Sequence, residues 1–243
     1  MTDKNSWSGR NVVDYYSRHR NSIGDLYDSE RYMLSKVSDR VQSVLDVGCA
    51  TGGFYNVFMK LNPVISYTGI DISEEMILKA QNLHPGIPFF LSDGKTLPFD
   101  PDGFDLVYCS GALHMSLLWR ELFKECWRVA KEYFIFDVRL VEKLPSLESK
   151  EQSYEKMAFD GLWDGRSVVP YIILNTNDFL KEIERLTPQP WTKQFWGYFH
   201  QVSPMTITKS EYQTVCMTMC CLSKERMNYN NDEWNLPFPE GLI

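Results

Sequence analysis

From Ser43 onward, short apolar runs alternate with stretches whose apolar residues recur at helical spacing, a pattern that predicts a parallel sheet covered by helices. Strands are expected at 43–47, 66–71, 88–92, 104–109 and 133–138, with helices near 53–61, 74–83 and 117–130 between them. Ser73 precedes Glu74 and Glu75, so it is read as the cap of a helix whose first turn carries acids. Residues 11–40 read as one or two helices rich in Tyr and Arg. Over 145–170 the pattern lapses into Pro, Ser, Gly and charges around Tyr154, Phe159 and Trp163, which is read as an insertion over the sheet. A helix near 177–186 follows. Two last strands, near 193–201 and 213–223, lie too close together for a helical crossover and are expected to pair antiparallel. The tail 228–243 reads as irregular.

The chain of 243 residues fits a single domain, divided as an N-terminal helical cap (1–41), a core (42–140), an insertion or lid (141–175) and a C-terminal helix, two strands and tail (176–243). Its net charge of -7, from 25 basic and 32 acidic side chains, repels phosphate backbones, so no nucleic-acid partner is expected. No apolar stretch approaches the ~20 residues of a membrane span, and the polar opening MTDKNSWSGR has no leader pattern. The six cysteines, at 49, 109, 126, 216, 220 and 221, include no Cys-x-x-Cys pair, which suits free thiols in a reducing cytoplasm. Cys220 and Cys221 would face opposite ways on a strand with no His nearby, so the cluster with Cys216 is read as packing. His19 and His84 have no partners at ligand spacing, and no metal is expected.

The chemistry concentrates in the run Val44-Leu45-Asp46-Val47-Gly48-Cys49-Ala50-Thr51-Gly52-Gly53, an apolar strand emptying into a Gly-containing turn. Glycines there let the backbone approach a nucleotide-like ligand, and Asp71, ending the next strand, can accept from both hydroxyls of a ribose. The spacing from Gly48 to Gly52 is not the dinucleotide Gly-x-Gly-x-x-Gly, so a pyrophosphate is not expected. The turn resembles the first motif of class I S-adenosylmethionine (SAM)-dependent methyltransferases, usually Asp-x-Gly-x-Gly-x-Gly. Four further stretches are similar to family motifs in order: Tyr67–Asp71, Phe90–Gly94, Leu97–Phe99 through Phe104–Ser110, and Leu122–Val129 with Tyr133–Asp137. The resemblance covers roughly residues 40–140.

That resemblance implies a Rossmann-like three-layer α/β sandwich with a seven-stranded, mostly parallel sheet and an antiparallel last strand. It implies SAM as cofactor and S-adenosylhomocysteine as product. Asp46, Gly48, Cys49, Ala50 and Gly52 would form the first turn, and Asp71 would bind the ribose. Asp93, with Ser92 and Gly94, would meet the adenine amine, while Ile72 and Met76 would contact the ring. The methionine carboxylate would meet backbone N–H groups or the N-terminal Tyr16, Arg20 and Arg31, and the ammonium would lie near Gly48 and Ser110. Ala50 departs from the family's second glycine, and its methyl calls for a negative φ. The usual Pro-Gly-Gly turn before the fifth strand is absent, leaving Ala130-Lys131-Glu132.

Methyl transfer chiefly requires alignment and exclusion of water, with a base only if the acceptor must lose a proton. His114 is the best-placed imidazole, either as that base or as a residue lining the cleft. Asp137 and Arg139 either orient a polar or anionic acceptor or pair with each other. Trp196, Tyr198 and His200 share one strand face, where they line an acceptor pocket or simply pack. Tyr154, Trp163 and Tyr171 lie where the family often builds its acceptor lid. The expected function is transfer of a methyl group to a small-molecule acceptor in the cytoplasm. A non-catalytic SAM-binding protein is the alternative. A nucleotide-dependent oxidoreductase is disfavoured because the only Tyr-x-x-x-Lys, Tyr32 to Lys36, precedes the first strand. A protein or RNA methyltransferase is a further alternative, against which Ser110-Gly111-Ala112-Leu113 stands where many amino-group methylators of bases carry Asn/Asp-Pro-Pro-Tyr/Phe.

Overall fold

A computed structural model describes residues 4–7, 10–159, 163–225 and 233–237. Two helices come first, α1 (Arg10–Arg18) and α2 (Asp28–Ser35). The core then runs β1 (Ser43–Val47), α3 (Gly53–Leu61), β2 (Ser66–Asp71), α4 (Glu74–Leu83), β3 (Phe89–Leu91), β4 (Phe104–Cys109), α5 (Trp119–Val129) and β5 (Ala130–Val141). The C-terminal part adds β6 (Tyr154–Lys156), β7 (Val168–Pro170), β8 (Leu174–Asn175), α6 (Thr176–Glu184), β9 (Thr192–Gln201), β10 (Thr206–Ile207), β11 (Thr214–Ser223) and β12 (Glu233–Asn235).

Among the described residues nine strands share one sheet, in the order β12-β9-β11-β5-β4-β1-β2-β3, with β8 beside β5. The central strands pair in parallel, and β1, running between β2 and β4, is buried over four of its five residues because helices cover both faces. The sheet turns antiparallel at β11, which pairs with β5 on one side and β9 on the other. This is the expected seven-stranded mixed sheet, lengthened by the short strands β8 and β12.

Each face buries its own apolar cluster. On one, α5 and α6 bring Phe123, Trp127 and Phe179 against Phe134 and Phe136 of β5. On the other, α2, α3 and α4 bring Met33, Phe58 and Ile77 against Tyr108 and Ile135. A fully buried side chain of this size contributes about 2–3 kcal/mol, so these two layers hold the sheet rigid beneath the loops at its strand ends.

Two sequence-based expectations change. β5 starts at Ala130, directly at the C-cap of α5, where the backbone is already extended (φ -68°, ψ 129°). The helix passes straight into the strand, so no Pro-Gly-Gly turn is needed. The insertion is partly ordered as a β6–β7 hairpin, and β10, from the connection between β9 and β11, joins it in a three-stranded antiparallel sheet. A two-residue strand has too little periodicity to be seen in sequence. Residues 228–232 and 238–243 of the tail read as irregular lie outside the described residues; Glu233–Asn235 is strand. Among the described residues no helix is long and apolar enough to cross a membrane.

Candidate active site

The carboxyl ends of β1, β2, β4 and β5 open onto one cleft of about 300 Å³, the position at which open α/β sheets bind ligands. Its floor is the turn after β1. The amides of Gly48 and Cys49 both donate to the carbonyl of Ile70, at 2.8 and 3.0 Å, which pins the turn to β2. Gly48 sits at φ 80°, and a Cβ there would lie 2.9 Å from that of Ala112, so a side chain is excluded by conformation and by space. Ala50 does not take the expected negative φ; it is left-handed at 47°. Its amide donates to Asp71 Oδ2 at 2.9 Å, and this bond holds the strained turn in place. Cys49, whose thiol burial pushes up, lines the cleft. Gly52 caps α3 and does not border the cleft.

Asp71 also accepts at Oδ1 from the Ser73 amide at 2.9 Å. Burial raises its pKa, and the amide bonds pull against that rise. Asp46, on the floor, accepts from the Tyr67 hydroxyl at 2.5 Å, and burial pushes its carboxyl up to about 7. Ile72 and the buried Met76 form an apolar wall. Ser92 and Gly94 border the same end, with Asp93 exposed at the rim.

The N-terminal helices close one side through Tyr16 and Arg20. Arg20 meets the Glu30 carboxylate of α2, whose Oε1 also accepts from Tyr108 Oη (2.9 Å) and Ser110 Oγ (2.8 Å). Glu30 is fully buried and closes back on the Tyr27 amide at 2.9 Å. Burial pulls the Arg20 pKa down, but Glu30 more than offsets it, and burial raises the Tyr16 phenol. Arg31 is the next residue on α2, turned about 100° away from Glu30. It is exposed and does not line the cleft, which corrects its assignment.

At the end of β5, Arg139 donates to Asp137 Oδ2 (2.6 Å), to Tyr171 Oη (3.3 Å) and to His114 Nε2 (3.2 Å). A guanidinium only donates, so Nε2 accepts and the His114 proton sits on Nδ1. That Nδ1 is buried without a hydrogen-bond partner, 3.8 Å from Asp137 Oδ2. Burial, then the Arg139 charge, push His114 down to about 3, so the ring is neutral. Burial favours the acid form of Asp137, yet Arg139 and the Gly111 amide (2.6 Å) hold it below the usual range. His114 is therefore no proton acceptor near neutrality, against the first of its two sequence readings. Asp137 and Arg139 do pair, and both still border the cleft.

The aromatic candidates divide. Tyr171 reaches the cluster, its ring edge-on to His114 at 5.5 Å between centroids. Tyr154 is half-buried within the small sheet, and Trp163 is exposed, donating to the Ser167 carbonyl; neither lines the cleft. Trp196, Tyr198 and His200 share a face of β9 as expected, but β11 separates that strand from β5. Trp196 packs edge-on against Tyr32 at 4.2 Å, Tyr198 reaches Met217, and His200 is exposed. Sequence reasoning missed Glu30 and Tyr67. The spacing of Glu30 three residues after Tyr27 at a helix start was the available signal for the first.

Residues 44–133 match a family model described as a methyltransferase domain. Over 92 residues the chain is 33% identical to a phthiotriol/phenolphthiotriol dimycocerosates methyltransferase of Mycobacterium tuberculosis, covering 37% of this chain and 34% of that protein. Over 174 residues it is 27% identical to a malonyl-[acyl-carrier protein] O-methyltransferase of Marinomonas sp., covering 64% of each. The match thus spans about a third of the mycobacterial relative and just under two thirds of the other. A SAM-dependent methyltransferase structure from Methanosarcina mazei superposes with a TM-score of 0.57 at 16% identity, over 83% of this chain and 99% of that one. One from Mesorhizobium loti does so with 0.53 at 19% identity, over 80% and 95%. These likenesses establish the fold. Residues 44–133 are thus similar to a methyltransferase domain, and the sheet around them has the fold of the SAM-dependent methyltransferase structures.

Proposed function

We propose that this chain transfers a methyl group from SAM to a small-molecule acceptor by in-line displacement. The observation that carries the reading is Asp71: each of its oxygens is fixed by an amide, at 2.9 Å, while the carboxylate borders the cleft beside the left-handed Gly48 turn. That is a pre-set acceptor for paired hydroxyls over a floor kept clear of side chains. The donor set fits the rest of the cofactor. Ile72 and Met76 offer an apolar wall for adenine, Asp93 an acceptor for its amine, and Arg20 a cation for the methionine carboxylate. When bound, SAM supplies an electrophilic methyl group on a sulfonium. The chain's own part is to align and to exclude water: Tyr16 and Arg20 close the N-terminal side, and Tyr171 of the 141–175 segment backs Arg139 on the cleft wall.

The small-molecule assignment is supported by the net charge of -7, which opposes binding to a phosphate backbone, and by relatives named for malonyl-[acyl-carrier protein] and phthiotriol dimycocerosates. Six buried, free cysteines suit the reducing cytoplasm in which we place it. Calorimetric titration with S-adenosylhomocysteine, with NAD alongside, tests the reading. Micromolar binding of the first and none of the second is expected on a cleft of this chemistry. Binding of NAD alone, or of neither, overturns it.

A further inference from the structure

We propose, resting on the methyltransferase reading above, that the acceptor is a carboxylic acid held at Arg139 and methylated on oxygen to its methyl ester. Arg139 is a cation on the wall of the cleft, exposed by only 7%. A guanidinium has five N–H groups, and three hydrogen bonds here go to Asp137, Tyr171 and His114. Those three contacts hold the fork in one orientation and leave N–H groups for an oxygen ligand. The planar, doubly accepting partner suited to such a fork is a carboxylate.

The groups beside Arg139 also offer no free base. Alcohols and phenols must lose a proton to become good nucleophiles, whereas a carboxylic acid is ionised at neutral pH. His114 has Nε2 occupied by Arg139 and almost no proton affinity at neutrality. Asp137 is committed to Arg139 and Gly111. Asp46 does hold a proton near neutrality, but it is bound by Tyr67 and lies on β1, two strands or about 10 Å from β5. The polar groups around Arg139 therefore suit an acceptor that arrives deprotonated.

The step balances without a co-reactant. One oxygen of the acceptor forms the new O–CH3 bond as the carbon–sulfur bond breaks, and the bonding pair stays on sulfur. No proton is released. An anion and a sulfonium become two neutral groups, a change that a water-poor wall favours. The lone Nδ1–H of His114 adds a neutral donor beside the same wall.

The test uses the full chain with methyl-labelled SAM and a panel of straight-chain and aromatic mono- and dicarboxylic acids, with matched amines and phenols. Label is expected on acids alone, in a product that mild base hydrolyses to labelled methanol. An accepted acid should also bind the S-adenosylhomocysteine-saturated protein by calorimetry. Arg139→Lys, which keeps the charge but loses the fork, should weaken that binding and raise KM more than about tenfold, with S-adenosylhomocysteine affinity held within about twofold. Retained S-adenosylhomocysteine binding shows that the variant is folded; should it be lost, the base-lability of the wild-type product decides alone. A base-stable label, no accepted acid in a protein that binds S-adenosylhomocysteine, or unchanged acid binding in a folded Arg139→Lys overturns the carboxylate proposal only. Failure of the wild type to bind S-adenosylhomocysteine overturns the underlying reading as well.

Discussion

Arg20, at the end of the N-terminal helical segment, is anchored to Glu30 of α2, and the same Glu30 oxygen accepts from Tyr108 and Ser110 of the sheet. One buried carboxylate thus ties the cap to the end of β4 and presents a cation to the cleft. Glu30→Gln keeps an acceptor but removes the charge that holds Arg20. It should lower stability by about 3 kcal/mol, the usual cost of breaking a buried pair from one side. It should also weaken S-adenosylhomocysteine binding, because Arg20 loses its fixed position. Urea melts and calorimetry read the two effects. Unchanged affinity in a destabilised variant would make Glu30 a structural residue only.

Asp71→Ala should weaken S-adenosylhomocysteine more than about tenfold, since a two-hydroxyl contact is lost from a half-buried site. The substitution also strips partners from the Ala50 and Ser73 amides, so some stability is lost with it. Affinity is therefore to be measured well below the melting temperature of the variant. Equal affinity in both proteins would remove Asp71 from the cofactor site.

The parts legible in the sequence share one property: each is a local pattern. Alternating runs show the strands, and the Val44–Gly53 turn followed by Asp71 shows where the sheet binds its ligand. What escaped is long-range. Glu30 meets Tyr108 across 78 residues and Tyr67 meets Asp46 across 21, and neither pairing leaves a trace in spacing. Trp196, Tyr198 and His200 show the same limit. Their shared face follows from period two, but their distance from the cleft depends on β11 inserting beside β5, which follows them in the chain.

Two buried groups pull the pH dependence of stability in opposite directions. Asp46 is raised from its ordinary value to about 7, so its contribution is full below the unfolded pKa and is lost as pH rises from about 4 through 7. His114 is lowered to about 3, so its contribution is full above about 6.5 and is lost as pH falls toward 3. Between pH 4 and 6.5 the two slopes offset, each at most about 1.4 kcal/mol per unit. Asp46→Asn should expose the His114 slope, with stability rising with pH over that range. His114→Gln should expose the reverse. Denaturant midpoints of the three proteins across pH 4–8 check this. Parallel profiles would show that neither group titrates differently in the folded state.

At Gly53 the backbone of the cap lies close against the start of α3. A Cβ there would stand 2.5 Å from the Arg20 carbonyl oxygen and 3.3 Å from Asn21 Cα, so backbone and not a flexible side chain would have to yield. Gly53 is the first residue of α3, where alanine gains less than the about 1 kcal/mol it has over glycine in a helix interior, a small pull toward a more stable α3. The clash with the cap works against it, at the 1–3 kcal/mol usual for overpacking. Gly53→Ala should therefore leave α3 formed while moving the Arg20 segment outward, and with it one wall of the cleft. The expected result is a protein of near-native helix content by circular dichroism whose S-adenosylhomocysteine affinity falls about fivefold or more, a loss of about 1 kcal/mol. Because Gly53 lies beside the cleft but offers no side chain to a ligand, such a loss would come through Arg20. If affinity holds, the cap bends without carrying Arg20 away, and the cation is not the fixed wall of the site that its bond to Glu30 implies.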